Sequence, residues 1–410
     1  MKRARPDDAA AEAMTTGLRI RVLPSISELP AAAWDACANP GLREGGPALP
    51  YNPFIAHDFL AALEISGSAV AKAGWQPQHL VLEDETGAVL GVVPCYLKSH
   101  SRGEYVFDRG WAEAYERAGG DYYPKLQVSV PFTPATGRRL LVAPGPHSGD
   151  SEAALAQGLV ELCRLREASS VHVTFMPEPE WHLLAERGFL KRTDQQFHWE
   201  NGGYASFDEF LGALASRKRK VLKRERREAL ANGIEVDWLT GSDLTEAVWD
   251  DFFAFYMDTG SRKWGRPYLT REFFSLVGEK MADRILLVMA KRAGRYIAGA
   301  INFIGSETLF GRHWGAIEHH PFLHFELCYY QAIDFAIANK LARVEAGAQG
   351  EHKIARGYMP VTTYSAHYIA DAALRRAIAD YLVRERAYVE AAGRELADMA
   401  PFRSEALEDQ

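Results

Sequence analysis

One unit of structure occurs twice along this chain, and it constrains the fold more than any other feature. Residues 79–98 and residues 286–305 each show two β-rich runs joined by a polar turn that contains glycine, which predicts a hairpin in each half. Farther along, residues 159–175 and residues 332–348 each place an apolar-periodic helix directly before a strand. The same two units in the same order indicate an internal duplication. We therefore expect two similar α/β domains.

The size and composition of the chain fit this expectation. Its 410 residues exceed the roughly 250–300 residues at which single hydrophobic cores stop growing. A composition of 47% hydrophobic and 25% charged residues is that of a globular protein. We predict an N-terminal domain over residues 17–200 and a C-terminal domain over residues 201–395, between a disordered tail at 1–16 and an acidic tail at 396–410.

The net charge and the cysteine spacing limit the partners and the cellular compartment that we expect for the protein. A net charge of -7 argues against a chain that coats DNA, so any anion site is expected to be local. The four cysteines lie far apart and form no CxxC pair, which predicts neither a zinc site nor disulfides and indicates a reducing, cytoplasmic compartment. No stretch approaches the roughly 20 apolar residues of a membrane span, so we expect any membrane contact to be peripheral. The oligomeric state stays open.

The densest charge of the sequence lies in residues 217–227, which contain eight Lys or Arg. A capping-box spacing between Ser206 and Glu209, with Asn232 and Gly233 as a stop, predicts one helix or two abutting helices over about 207–231. Helical geometry collects the cations on one half of the cylinder, and the candidate ligand contacts among them are Arg217, Lys220, Lys223, Arg224 and Arg227. Two interpretations remain: a solvated face laced by charge pairs, or a surface for a phosphate-bearing ligand such as a coenzyme, a nucleotide-linked precursor or a tRNA.

Residues 311–337 contain the first candidate reaction centre. His324 and Glu326 open a predicted helix just beyond a strand end, where α/β folds bind anions and place acid or base groups. We predict Glu326 as a proton acceptor, with His324 as the alternative, whereas simple helix capping is the structural alternative for both. The histidines nearby lack convincing zinc-site spacing, so no metal is predicted. The preceding strand adds three candidate ligand contacts: Arg312, His313 and Trp314.

Residues 344–369 contain the second candidate reaction centre. A strand that carries Glu345 enters a turn with Gly347 and Gly350, whose small size would let a substrate approach the backbone. Lys353 would supply positive charge where an oxyanion or a phosphate develops. The candidate contacts that accompany it are Gln349, Glu351 and Arg356. The alternative is a surface loop with ordinary charges.

Several stretches of the sequence resemble the FemAB-like N-acyltransferases of the GNAT superfamily, a family often labelled peptidoglycan biosynthesis or recognition proteins. The resemblance runs from about Asn52 to Tyr388, and the string EAGAQGEHK is its most specific part. It implies an α/β (α+β) fold of two tandem GNAT-like domains, each a mixed β-sheet flanked by helices. The stretches are YYPKLQVSVPFTP (122–134), SRKRKVLKRER (216–226), GRHWG (311–315), LHFELCYYQAID (323–334) and EAGAQGEHKIARGY (345–358).

The resemblance also bears on which molecule donates the acyl or aminoacyl group. Fem-type enzymes transfer an amino acid from aminoacyl-tRNA to the peptide stem of a cell-wall precursor, whereas ordinary GNAT enzymes use acetyl-CoA. Lys353 looks like the lysine that Fem-type enzymes carry after their last common strand, although His352 replaces an aromatic residue beside it. Where acetyl-CoA enzymes have a glycine-rich pyrophosphate loop, this chain has EHHPFLHFE at 318–326, which disfavours acetyl-CoA.

We therefore expect an acyltransferase that moves an acyl or aminoacyl group from acyl-CoA or aminoacyl-tRNA to a primary amine of a cell-envelope or peptidoglycan precursor. Such a reaction needs proximity, a proton acceptor and oxyanion donors, but no covalent intermediate. Two alternatives stay open. One is a non-catalytic protein that binds a nucleotide-linked precursor or a tRNA, and the other is a conventional acetyl-CoA-dependent N-acetyltransferase of small molecules.

Overall fold

The computed structural model describes residues 17–42, 49–264, 267–347 and 350–403. The tail predicted at 1–16 and the end of the acidic tail, 404–410, lie outside these residues. The strands are β1 (Arg19–Leu23), β2 (Trp75–Pro77), β3 (His79–Glu83), β4 (Val89–Val93), β5 (Cys95–Lys98), β6 (Lys125–Val128), β7 (Leu141–Val142), β8 (Ser170–Met176), β9 (Leu190–Glu200), β10 (Ile234–Leu239), β11 (Ile285–Arg292), β12 (Arg295–Ile304), β13 (Thr308–Ala316), β14 (Arg343–Glu345) and β15 (Met359–Ile369).

The helices cover both faces of the sheets. They are α1 (Ala31–Ala38), α2 (His57–Ile65), α3 (Arg109–Arg117), α4 (Ser148–Leu165), α5 (Glu178–Ala185), α6 (Phe207–Ala213), α7 (Ser216–Ala229), α8 (Glu246–Trp264), α9 (Arg271–Met281), α10 (Leu323–Phe325), α11 (Gln331–Ala338) and α12 (Ala372–Ala397). A π-helical turn, Glu326–Tyr330, joins α10 to α11, and a 3-10 helix, Glu351–Arg356, precedes β15.

Local sequence signals explain several of these elements. The Ser206 hydroxyl accepts a hydrogen bond from the amide of Glu209 and so caps α6, as the sequence predicted. Asn232 and Gly233 both adopt positive φ after α7 and end the helical segment. The two predicted hairpins are confirmed as β3–β4 and β11–β12, which pair antiparallel. Gly87 lies in the turn of the first hairpin with φ +84°.

Most strands belong to one mixed sheet. Within the described part of the chain, eleven strands follow the order β10-β11-β12-β13-β14-β9-β15-β8-β6-β5-β2, and a second sheet has the order β1-β3-β4-β7. From β12 to β5 the large sheet has an internal pseudo-symmetry. Each end contains one parallel pair, β13–β14 or β6–β8, and a helical crossover connects the two strands of each pair. The chain is a mixed α/β protein built from two related units, as the duplication in the sequence predicted.

The two units exchange strands. β9 follows β8 along the chain but pairs antiparallel with β14 of the other unit. Conversely, β15 follows β14 but pairs antiparallel with β8, and β9 and β15 then pair with each other at the centre of the sheet. The boundary at residue 200 stays a prediction. The N-terminal side contributes β9 to the place beside β14, and the C-terminal side contributes β15 to the place beside β8.

A hydrophobic core also joins the units. Phe54 of the N-terminal half packs against Phe303 and Phe310 of the C-terminal half, with ring centroids 5.1 Å apart in both contacts. Phe59 makes similar contacts with Phe273 and Phe303, at 5.7 and 5.3 Å. Buried aromatic pairs of this kind contribute beyond the area that they bury. The large sheet and this core make one connected body of the two halves.

Candidate functional site

The sheet changes its pairing at β13, beside the helix that starts at Leu323. Phe310 is the last residue of β13 that pairs with β14, and the following residues pair with β12 alone. The pairing with β12 shifts between Ile301 and Asn302, so that Arg312 is an extra, bulged residue on β13. Bulges bend a strand and re-aim its side chains, and they are common next to active sites. β13 and β14 thus stop pairing at Phe310, just before residues 311–337, in which the sequence predicted a reaction centre.

A cavity of about 630 Å³ lies at the end of β13. Its walls come from α8, from the end of β13, from the connection that follows it and from α10. The lining residues are Thr259, Trp314, Ala316, Ile317, Glu318, His319, His320, Phe322, Leu323, His324 and Phe325. Of the predicted site residues, His324 and Trp314 therefore line this cavity, and their rings are in edge contact at 5.1 Å.

Glu326 has different surroundings from His324. Its side chain is fully buried at the start of the π-helical turn, and it accepts hydrogen bonds from the Arg226 guanidinium at 3.1 and 2.8 Å. The amide of Gln331 donates to the same carboxylate at 2.7 Å, and Arg226 also binds Asp334. The carboxylate therefore fastens α7 to the helix behind the cavity. π-Helical turns are rare and occur often at functional sites.

A second buried ion pair fastens α7 to the segment after β14. The Arg356 guanidinium donates two hydrogen bonds to Glu225, at 2.9 and 2.8 Å, and one to the hydroxyl of Tyr330. Both charged side chains are about 95% buried, since their exposed fractions are 5%. Burial raises the pKa of Tyr330 well above its ordinary value. Arg356 is thus committed to a structural partner, and the predicted contact of Arg356 with a ligand phosphate stays a prediction.

Lys353 is buried at the end of β14, where its ammonium donates to the carbonyls of Ala346 and Gly347 at 2.6 and 3.0 Å. Burial lowers its pKa to about 8. An ammonium has three N–H donors, so two carbonyl partners leave capacity for one further acceptor. The predicted neighbour Gln349 lies outside the described residues. For Glu351 the structure describes the backbone alone.

The exposed face of α7 matches the predicted arrangement. Arg217, Lys220, Arg224 and Arg227 are all exposed. Lys223 forms an ion pair with Asp208 at 3.0 Å, whereas Arg224 approaches Glu228 only to 3.7 Å. An open groove along this face is lined by Ser216, Arg217, Lys220, Val221 and Arg224. The cations on this face therefore remain available to an anion in solution.

Arg312 and His313 are not among the described residues that line the cavity. The Arg312 guanidinium donates to the carbonyl of Phe132 in the N-terminal half. His313 packs against Tyr256 at 5.2 Å, and burial lowers its pKa to about 3. Both residues therefore contact other parts of the fold, and their predicted role in ligand binding stays a prediction.

The N-terminal unit contains the equivalent parallel pair, β6–β8, but the carbonyls beyond its end have different hydrogen-bond partners. Beyond the last pair of β6 with β8, the carbonyls of Thr174 and Phe175 accept hydrogen bonds from Arg139 and Gly137. Arg139 is fully buried and also donates to the carbonyl of Ala135. The connection that follows β6 thus bonds to the end of β8, whereas Lys353 binds the corresponding carbonyls after β14. The cavity described above belongs to the C-terminal unit, where the sequence placed the reaction centre.

A buried charge cluster in the N-terminal half was not predicted from the sequence. Lys125 is fully buried on β6 and binds the carboxylates of Glu104, at 2.7 Å, and Asp108. Burial opposes the Lys125 charge, yet the two carboxylates outweigh it and raise the lysine pKa above its ordinary value. His172 and His367 complete the cluster with a ring nitrogen contact of 2.7 Å, and burial lowers the pKa of His172 to about 3. The signal available in the sequence was Lys125 in the strand KLQV, because a lysine on a buried strand needs acidic partners.

Comparisons with known proteins agree with this architecture. Solved structures with similar folds include FemX, at 11% identity over 86% of this chain and 98% of that chain with a TM-score of 0.51. The C-terminal domain of a putative lysylphosphatidylglycerol synthetase from Agrobacterium fabrum is 9% identical over 88% and 97% of the two chains, with a TM-score of 0.51. L-PGS from Bacillus licheniformis is 8% identical over 83% and 99%, with a TM-score of 0.50. Identities this low show a shared fold. A search of curated sequences found no significant match.

The large sheet with its two related halves is the architecture that this chain shares with FemX. A family profile described as peptidoglycan biosynthesis/recognition, FemAB-like, matches residues 25–404. The chain belongs to the FemAB-like family, which confirms the resemblance seen in the sequence. Within the described residues, no helix is long and apolar enough to cross a membrane.

Proposed function

We propose that this protein transfers an acyl or aminoacyl group from a phosphate-bearing donor, an acyl-CoA or an aminoacyl-tRNA, to a primary amine. The observation that carries the proposal is the connection between α7 and the cavity. α7 exposes a face of cations on one side, and on its inner side Arg226 and Glu225 bind Glu326 and Arg356. A surface suited to phosphates is thereby held at a fixed position relative to a cavity suited to a reacting group.

The proposed reaction needs few catalytic groups from the protein. The amine nitrogen forms a bond to the acyl carbon, the carbon–sulfur or carbon–oxygen bond of the donor breaks, and a proton passes from the nitrogen to an acceptor and on to the leaving group. His324, which lines the cavity, is our choice for that acceptor. Glu326 was the first choice from the sequence, but its bonds to Arg226 and Gln331 suit a positioning role. Lys353 would stabilise the negative charge that develops on the carbonyl oxygen.

The acceptor amine belongs, in this proposal, to a peptidoglycan or other envelope precursor. The family description supports peptidoglycan, and the fold is shared with FemX and with lysylphosphatidylglycerol synthetases. We further propose that the protein works in the cytoplasm, where both kinds of donor are made. The sequence supports that location, since its four cysteines lie far apart and form no CxxC pair.

Charge reversal on α7 tests the donor surface. The triple variant Lys220→Glu, Arg224→Glu and Arg227→Glu changes exposed positions and should fold normally, because exposed substitutions usually stay within about 0.5 kcal/mol. We expect it to bind coenzyme A or deacylated tRNA at least about tenfold more weakly, with a flatter salt dependence. The matched control reverses Lys72, Arg376 and Arg384, which are exposed elsewhere, and should bind as the unmodified protein does.

A donor screen then tests the reaction. Purified protein is incubated with acyl-CoAs or charged tRNAs and with amine acceptors, and products are identified by mass spectrometry. Amide product that disappears with the α7 triple variant supports the proposal. Tight, salt-sensitive binding without any product would instead favour the non-catalytic binding protein. Equal binding by the triple variant and the control would return α7 to a solvated helix face.

A further inference from the structure

We propose that the cavity at the end of β13 holds the acyl group of the donor, and that it selects a bulky, uncharged acyl group, aliphatic or aromatic, over acetyl. This inference rests on the proposed transfer reaction, and it names the class of group transferred. Three observations carry it: the apolar walls of the cavity, the charges around it and its size.

Six of the eleven described lining residues are apolar, and their part of the wall is partly open to solvent. Trp314, Phe322 and Phe325 supply aromatic surface, and Ile317 leaves 47% of its surface exposed. A single exposed aliphatic side chain is ordinary, but a group of apolar side chains that share one exposed surface marks a binding site. Removing such surface from water is favourable by roughly 25 cal/mol for each Å². A ligand with its own apolar surface would therefore bind here through the hydrophobic effect.

The charges around the cavity disfavour an acyl group that carries an ammonium. Among the described residues that line the cavity, none is Lys or Arg. Its single carboxylate, Glu318, accepts hydrogen bonds from Arg292 at 2.9 and 2.7 Å and from Arg295 at 3.2 Å. His320 lies 2.9 Å from the same carboxylate. Because these cations already neutralise Glu318, little attraction remains for an ammonium group, and the phosphates of a donor would lie on α7.

The size of the cavity argues against acetyl. Its volume of about 630 Å³ lies within the roughly 300–1,000 Å³ of cavities that hold drug-sized ligands. An acetyl group would fill a small part of it and leave most of the apolar wall in contact with water. A medium-length aliphatic chain or an aromatic ring would cover that wall. The cavity thus suits a larger acyl group than those implied by acetyl-CoA chemistry.

The test uses thioesters of N-acetylcysteamine, which carry an acyl group but no phosphate and so report on the cavity separately from α7. We expect the octanoyl and benzoyl thioesters to bind at least about tenfold more tightly than the acetyl thioester. Ile317→Trp should narrow the cavity and remove that preference. Ile65→Trp, which enlarges an isoleucine that is 60% exposed on α2, is the matched control and should change nothing.

The outcomes separate this inference from the proposed function. Equal binding of acetyl and octanoyl thioesters, tighter binding of an alanyl or lysyl thioester, or no effect of Ile317→Trp would each overturn the inference. Binding that follows the bulk of the acyl group, without transfer to any amine, supports the assignment of the cavity while the proposed function fails. Transfer of acetyl as fast as octanoyl leaves the proposed function standing and contradicts the selectivity.

Discussion

At the scale of single residues, the chain places several charges where burial works against them. Lys353 keeps an ammonium beside two backbone carbonyls with only 3% of its surface exposed. Glu345, one position before Ala346, has a buried carboxyl whose pKa burial raises to about 8. Buried groups with shifted pKa values occur preferentially at functional sites, although structural ion pairs shift them as well. Direct measurement at Lys353 distinguishes the two roles.

The depressed pKa of Lys353 predicts a change of stability with pH. Its pKa is about 8 in the folded protein and about 10.4 in an unfolded chain, so the unfolded state binds more protons between these values. The free energy of unfolding should therefore rise with pH across the window from about 8 to 10. Lys353→Met removes this contribution, and its stability relative to the unmodified protein should fall as the pH rises.

Urea unfolding at pH 7, 8.5 and 10 measures this difference. Lys72→Met serves as the control, because Lys72 is exposed. Parallel pH profiles for the unmodified protein and Lys353→Met would contradict the prediction. If the ammonium acts on the transition state, kcat should also decline above about pH 8 in the unmodified protein, and Lys353→Met should lower kcat at neutral pH by about 10²-fold.

At the scale of elements, α7 has two functions on two faces. Its outer face carries the exposed cations, and its inner face makes the buried contacts of Arg226 and Glu225. The helical segment that contains α6 and α7 was predictable from sequence, since the cap at Ser206 before α6 and the stop at Asn232 after α7 are local signals. The partners of its inner face were not, because Arg226 and Glu326 are 100 positions apart along the chain. Helical geometry put Arg226 among the outer cations, and only tertiary packing turned it inward.

The contact between Arg226 and Glu326 predicts a strong energetic coupling. Arg226→Met leaves a fully buried carboxylate without its main partner and should cost about 3–5 kcal/mol of stability. Glu326→Gln removes the charge and should restore part of that loss in the double variant. We expect a coupling energy of about 1–3 kcal/mol from a double-mutant cycle in denaturant unfolding.

The same variants decide the role of Glu326. A positioning role predicts that Glu326→Gln lowers the free energy of unfolding as well as kcat. A catalytic role predicts a loss of kcat of about 10²-fold with stability almost unchanged. Asp243→Asn, which neutralises an exposed acid before α8, provides the control for removing one negative charge. If the losses in the free energy of unfolding caused by Arg226→Met and Glu326→Gln simply add in the double variant, the two side chains are not coupled.

At the scale of the whole molecule, duplication was visible in the sequence but strand exchange was not. The hairpins and the helix–strand units follow from periodicity and turn residues, which are local properties. The pairing of β9 with β14 depends on residues about 145 positions apart, and no local signal specifies it. The same holds for the contacts of Phe54 with Phe303 and Phe310 across the two halves. A boundary at residue 200 is natural in sequence, although the native strands cross it in both directions.

This exchange predicts that the two halves unfold together. A fragment of residues 17–200 would lack β15 beside β8, and a fragment of residues 201–403 would lack β9 beside β14, so each would expose an unpaired inner strand. We expect neither fragment to fold alone and the intact chain to unfold in one cooperative transition, seen identically by far-UV circular dichroism and by tryptophan fluorescence. Independent folding of either fragment, or two resolved transitions, would contradict this.

Phe54→Ala tests the same coupling inside the intact chain. Phe54 is fully buried in the N-terminal half, and its truncation should cost about 3–5 kcal/mol. If the halves are one cooperative unit, amide hydrogen exchange should then accelerate in β13 of the C-terminal unit as much as in β3 and β4. Ile65→Ala, at an exposed position, should leave both regions unchanged. Faster exchange in the N-terminal strands alone would show that the halves open separately. A shared core and exchanged strands instead require the loss of stability to speed exchange in both halves.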